Sequence, residues 1–212
     1  MDSVSICNLA LNMLGIPNIL SFEDENNNAK LCKRFFPVLR DRVLRDHTWS
    51  FAVSALHLSL LNETPFDPNF QFAMQLPPDI IRINELFPAV PYRKAADKIF
   101  VNDNDITLVY TRRIEDTELF DDSFVEALQY LLAAEIGLAN TRDGNLVAYY
   151  RKEYERILAD ARCIDSQENV HSYQPGHFRS SFIAARCGDG FSAHASNHIR
   201  FVAGNAGIQK EK

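Results

Sequence analysis

Cysteine, glycine and tryptophan are scarce in this 212-residue chain: four cysteines, eight glycines and a single Trp49. Cys7, Cys32, Cys163 and Cys187 stand far apart with no C-x-x-C pair, which excludes a disulfide framework or zinc knuckle and makes reduced, buried thiols the expectation. No apolar run approaches the ~18 residues of a membrane span, and no basic flank, apolar run and small-residue cleavage site opens the chain. A protein made and kept in a cytoplasm is expected, so the sequon Asn62-Glu63-Thr64 carries no weight. The glycine-rich phosphate loop, the dinucleotide fingerprint and the nucleophile elbow are all missing, which removes the local support for phosphate cradling, dinucleotide binding or serine hydrolysis.

Net positive charge is missing too. The formal charge is -6, which disfavours non-specific attraction to nucleic acid or anionic membranes. The distribution is uneven. Residues 1–169 carry 17 basic and 26 acidic groups, whereas residues 170–212 carry 5 basic and 2 acidic ones. With 46% apolar and 24% charged residues the composition is that of an ordinary globular protein, and a chain of this length buries roughly 70% of its unfolded surface without staples.

Two helices are predicted at the start. The first runs from Asp2 or Ser3 through Val4, Ile6, Leu9, Ala10, Met13 and Leu14 to Gly15, with Pro17 just beyond. The second spans about Asn27 to Asp46, with Leu31, Phe35, Phe36, Val38, Leu39, Val43 and Leu44 at helical spacing. Pro37 inside it predicts a kink or two abutting helices.

From Trp49 to about Thr117 the period falls to two, and six of the nine prolines lie between Pro65 and Pro91, which predicts a small antiparallel β-region with tight corners. Phe70, Phe72, Met74 and Leu76 alternate with Gln71, Ala73 and Gln75. Pro77-Pro78 then ends the pairing, and Asp79-Ile80-Ile81-Arg82-Ile83 starts a second strand. Between residues 51 and 60 the apolar phase slips by one, from Phe51, Val53 and Ala55 to Leu56, Leu58 and Leu60, which predicts a bulge. Asn102-Asp103-Asn104-Asp105 between Ile99-Phe100-Val101 and Ile106–Tyr110 predicts a hairpin.

Helix returns near Asp122, with Ser123 and Glu126 at capping-box spacing, and again from Asp143 to about Ser166, with Leu146, Tyr150, Tyr154, Ile157, Ala161 and Ile164 on one stripe. The short link from Ala139 to Arg142 makes the pair an antiparallel hairpin. The fold class is therefore α+β: residues 1–48 and 119–169 form a helical bundle, residues 49–118 an inserted antiparallel β-region, and residues 170–212 an extended C-terminal arm. The arm holds five of the eight glycines and four of the six histidines. Tyr173, Phe178, Phe182, Ile183, Phe191, Ile199, Phe201 and Val202 are spaced through it, so it is expected either to order on a partner or to wrap its own body.

Candidate chemistry is thin. His194 and His198 at i, i+4 near Cys187 have the spacing of a metal pair, but the glutamate after the first histidine and any helix signal are absent, so chance is the better reading. Asp46-His47 are adjacent and cannot orient each other; a helix C-terminal histidine is expected. Asp121 and Asp122 read as helix caps, and Glu135 as a helix-edge residue facing water.

The order of these pieces resembles the tail tubular protein A-like head-to-tail connectors of short-tailed bacteriophages. The resemblance runs from about Ile6 to Arg186. It rests on Asn8 to Gly15; Phe35-Phe36-Pro37 with Arg40-Asp41 and Leu44-Arg45; Trp49-Ser50-Phe51-Ala52; and Phe72-Ala73-Met74-Gln75-Leu76-Pro77-Pro78-Asp79 followed by Arg82-Ile83. Further along it rests on Asp105–Leu108 with Tyr110-Thr111, Phe124–Leu128 with Leu132–Glu135, and Tyr154-Glu155 with Ala159–Arg162 and Asp165–Glu168. It implies a virion protein without catalysis or cofactor, made in the host cytoplasm. Such a protein forms a ring, usually twelve-fold, below the portal protein after DNA packaging, and seats the tail nozzle protein. DNA passes through the channel without specific binding, and no membrane is involved.

Trp49, Phe51, Gln75, Leu76, Pro77, Asp79 and Arg82 are the implied signature residues. Tyr173, Phe178, Arg179, Phe182, Arg186, Phe191 and Phe201 are the candidate partner-binding residues of the arm. An acidic body suits a channel that DNA must not stick to, in which case the protein shows no salt-sensitive DNA affinity. After Arg186 no family pattern is visible. The alternatives from other classes are a phage cell-wall hydrolase working through carboxylates and a soluble DNA-binding regulator; for the latter the net charge is wrong and no basic recognition helix is evident.

Overall fold

The N-terminal helix α1 spans Ser3–Met13, with the Asp2 carboxylate accepting from the Ser5 amide at its start. Gly15 sits at φ +66°, where a side chain is strained, and the Gly15 and Ile16 amides donate to the Asn12 and Leu11 carbonyls. That is the glycine-dependent helix stop the sequence announces. A computed structural model describes residues 1–141 and 143–168; residue 142, the segment 169–212 and the side chains of residues 165–168 lie outside the described residues. Residues Met1–Glu168 form one compact unit of mixed α+β architecture.

Helix α2 covers Asn27–Asp46, capped by Asn26, and runs through Pro37 as one helix rather than two. Pro37 is exposed, so its missing amide faces water rather than the core. Helix α3 (Asp122–Asn140) and helix α4 (Gly144–Glu168) follow the β-region, and α3 packs against α4, α2 and α1. Asp121 is a cap of α3 as expected, its carboxylate accepting from the Phe124 amide at 2.6 Å, whereas Ser123 and Glu126 lie inside the helix and form no capping box there. A carboxylate at the N-cap also matches the positive end of the helix. On α4 the buried stripe is Val147, Tyr150, Tyr154, Ile157, Leu158 and Ala161; Ile164, expected on it, is 50% exposed.

The β-region is two sheets. Strands β1 (Val53–His57), β4 (Ile80–Phe87) and β7 (Thr107–Arg112) form one in the order β1-β7-β4. Strands β2 (Leu60–Leu61), β3 (Phe72–Gln75), β5 (Arg93–Ala95) and β6 (Lys98–Val101) form the other in the order β2-β3-β6-β5. All pairings are antiparallel. Leu58, Met74, Leu76, Leu86, Ile99, Val101, Ile106, Leu108 and Tyr110 fill a core to which both sheets contribute.

The chain changes sheet four times, and two of these crossings correct the sequence reading. The phase slip near Leu56 is no bulge: β1 keeps an unbroken register against β7, and the chain then passes to the other sheet. At that crossing the Leu58 amide donates to Ile106 and the Ser59 carbonyl accepts from Gln75. The irregular registers lie instead in β4. Likewise β6 and β7 are no hairpin. They lie in different sheets, and Asn102 spends its side chain on the Gln71 amide and the Asn69 carbonyl, both at 3.0 Å. The observed hairpin is β5–β6, turning at Ala96 with φ 52°. Pro77-Pro78 marks a third crossing, from β3 to β4. The fourth, from β4 to β5, contains the cis Phe87–Pro88 bond.

A second, larger core lies among the helices and takes in Trp49, Ala52, Ile81 and Ile114 from the β-region's borders. The sheet region and the bundle are thus joined by shared side chains rather than by a linker.

Candidate functional site

The last four carbonyls of a helix have no partner within it. At the end of α2 three of them are met from elsewhere in the chain. Trp49 Nε1 donates to the Val43 carbonyl at 2.9 Å, Arg82 Nη1 to that of Arg45 at 2.8 Å, and Arg162 Nη2 to that of Asp46 at 3.0 Å. Arg82 also reaches the Thr48 hydroxyl through Nη2 and Asn84 Oδ1 through Nε. Two guanidinium groups at a helix C-terminus complement its negative end. The Asp46 carboxylate accepts from the Tyr154 hydroxyl at 2.8 Å, and burial first, then this hydrogen bond and the Asp46 charge, push the Tyr154 hydroxyl well above the ordinary tyrosine range.

Trp49 is 2% exposed and meets His47 and Phe124 edge-on, at 4.7 and 5.2 Å between ring centroids. Phe51 packs on Phe120 and Phe124. His47 is the expected helix-end histidine, and it is buried. Neither the sequence pattern nor the resemblance singled out the roles of Arg162 and Tyr154. Their partners lie more than a hundred residues away, so no local pattern displays them.

The remaining signature residues brace the sheets. Gln75 Nε2 donates to the Asp97 carbonyl at 3.0 Å and to its carboxylate at 3.1 Å, fixing the β5–β6 turn, and this hydrogen bond holds the Asp97 carboxyl below its usual range. Leu76 is buried in the inter-sheet core and Pro77 is half-buried at the corner. The Asp79 carbonyl accepts from the Arg113 amide at 2.7 Å and its carboxylate from the Tyr110 hydroxyl at 3.4 Å. Asp41 of α2 ties the same corner to the bundle, accepting from buried Arg40 at 2.8 Å and from Arg113 at 2.8 Å. Beside it an open cleft of about 430 Å³ is lined by Pro78, Asp79, Arg112, Arg113, Glu115 and Leu119, among others.

The two groups, Trp49–Phe51–Arg82 and Gln75–Leu76–Pro77–Asp79, are therefore joints: one locks the end of α2 onto β4, the other the corner between sheets. Their polar atoms are engaged with backbone and with side chains such as Asp97, Thr48, Asn84 and Tyr110. Among the described residues no group of three His, Cys, Asp or Glu side chains is placed to hold a metal ion, and no helix is long and apolar enough to cross a membrane. Cys7 and Cys32 are buried, as expected, but Cys163 is exposed. The Cys7 thiol, hydrogen-bonded to Cys32 and buried, is pushed far up, so it is a poor nucleophile. Glu135 is not simply a solvent-facing edge residue: it takes an ion pair from Arg151 at 3.0 Å. The arm residues Tyr173, Phe178, Arg179, Phe182, Arg186, Phe191 and Phe201, with Cys187, His194 and His198, lie outside the described residues.

Comparison with protein-family models and with curated proteins finds no match.

Proposed function

We propose that this chain is a structural virion protein, a head-to-tail connector whose ring docks below the portal protein after DNA packaging and seats the tail nozzle protein. The observation that carries the reading is the role of the segment on which the resemblance rests. From Trp49 to Arg82 its distinctive side chains are spent on joints between α2 and the sheets and on joints within the β-region. Such joints suit a rigid ring subunit that transmits load, and the architecture of helical pairs on either side of a β-insertion is the one the resemblance implies. The ring is homo-oligomeric, twelve-fold by the resemblance. DNA traverses it without specific binding, and the apolar, slightly basic arm grips the portal.

The test is the mass of the purified protein in solution, alone and mixed with the portal protein from the same genome. A large ring complex appearing with the portal supports the connector. A species that ignores the portal sinks it and returns attention to the hydrolase and regulator alternatives. Truncation after Gln174 should leave a folded body that no longer docks; unchanged docking removes the arm from the proposal.

A further inference from the structure

Helix α2 presents water with a row of cations on a chain that is acidic overall. Lys30, Arg34, Val38, Arg42 and Arg45 are all exposed and share one face of the helix, which at 1.5 Å per residue is about 22 Å long from Lys30 to Arg45. Val38, 64% exposed, is an apolar knob among the charges. Arg42 leans on Asp46 at 3.6 Å, but Lys30, Arg34 and Arg45 make no ion pair among the described residues. The sequence concealed this face because the net charge averages it away.

A surface of the opposite sign lies beside α2, between β7 and α3. Glu115, Asp116, Glu118 and Asp122 are exposed around Leu119, itself 49% exposed. Glu115 comes within 4.0 Å of Arg40; Glu118 and Asp122 make no ion pair among the described residues. Asp41 beside Val38 is taken up by Arg40 and Arg113, and Arg112 and Arg113 border Leu119, so the first patch is basic and the second acidic in balance, each with an apolar centre.

We propose that the solvent face of α2 is the seat for the 115–122 segment of a second copy of this chain, Val38 meeting Leu119 within complementary charge. Complementarity names the occupant: the chain carries a carboxylate excess of six, and its own acidic segment matches the stripe in both sign and apolar centre. Made once per subunit such a contact is heterologous, the kind that closes rings or runs on into filaments; made reciprocally it gives a two-fold dimer. The contact deepens the connector reading and rests on it for ring closure, while self-association is measured without any portal.

The experiment is sedimentation of the full chain at about 50 and about 500 mM NaCl, where the screening length shrinks from roughly 14 to 4 Å. Assembly at low salt, weakened about tenfold or more at high salt, is expected. Arg34→Glu with Arg45→Glu should give a monomer, and so should Glu118→Lys with Asp122→Lys. Mixing the two charge-reversed variants should restore assembly, since each then offers what the other lacks. Circular dichroism checks folding, and the single variants Arg34→Glu and Glu118→Lys stand in if a double variant fails to fold.

A parent monomeric at both salts overturns the proposal, as do variants that assemble like the parent or a mixture that stays monomeric. Salt-sensitive binding of a short DNA duplex by a monomeric parent, abolished by Arg34→Glu with Arg45→Glu, would assign the stripe to nucleic acid instead. Intact self-assembly with indifference to the portal would refute the connector reading and leave this contact standing.

Discussion

Arg82 shows how much a single side chain can hold. Its guanidinium meets a helix-terminal carbonyl and a hydroxyl at the end of α2, more than thirty residues away in sequence, and an amide oxygen on its own strand. Arg82→Ala should therefore lower unfolding stability by about 1–3 kcal/mol in a urea titration, since it takes their guanidinium donor from the half-buried Thr48 hydroxyl and the Arg45 carbonyl. Arg82→Lys should recover only part of this, because an ammonium cannot fork to all three.

Tyr154 sets a pH dependence at the same scale. Its folded-state pKa is raised, and those of Tyr110, Tyr130 and Tyr150 are raised too, by burial first. A raised pKa means that the unfolded chain loses these protons first. Their contribution to stability is complete below the ordinary tyrosine value of about 10 and is lost as pH rises above it. Urea titrations at pH 8 and at about pH 10.5 should show a steep loss for the parent and a shallower one for Tyr154→Phe.

Among the elements, helices were the most legible and their caps less so. The apolar spacing of residues 3–14 and 27–46 together with Asp2, Gly15 and Asn26 fixes α1 and α2, because helix signals are local. Ser123–Glu126 looked like a capping box only because capping-box spacing says nothing of which residue precedes the first turn. Asp121, which its position in the sequence also marks as a cap, takes the role with a 2.6 Å bond. Asp121→Ala should cost about 1 kcal/mol and Ser123→Ala within about 0.5 kcal/mol; equal losses in thermal unfolding would reverse the assignment. Strands were recognised by alternation, but alternation cannot say which sheet a strand joins. The slip at Leu56 and the polar run Asn102–Asp105 were read as a bulge and a hairpin because both are the local explanations, and both are places where the chain changes sheet.

For the whole molecule the decisive feature is two cores. Leu108 is fully buried between the sheets, and Leu108→Ala should cost about 2–5 kcal/mol as transfer and cavity terms add. Ala55 of edge strand β1 is exposed, so Ala55→Lys should shift stability by no more than about 0.5 kcal/mol and leave solubility unharmed. If Ala55→Lys proves as damaging as Leu108→Ala in the same denaturant series, β1 is covered in solution.

By itself the sequence determined the α+β class, the four helices within a residue or two, the extent of the β-region and the corner at Pro77-Pro78, because periodicity, caps and proline act over a few residues. The signature residues were visible as a pattern, without their purpose. Only the tertiary structure decided that Trp49, Arg82 and Arg162 close the end of one helix, and that strands adjacent in sequence part into different sheets. Each of these depends on which distant residues meet when apolar surface is buried, and no local pattern along the chain encodes that.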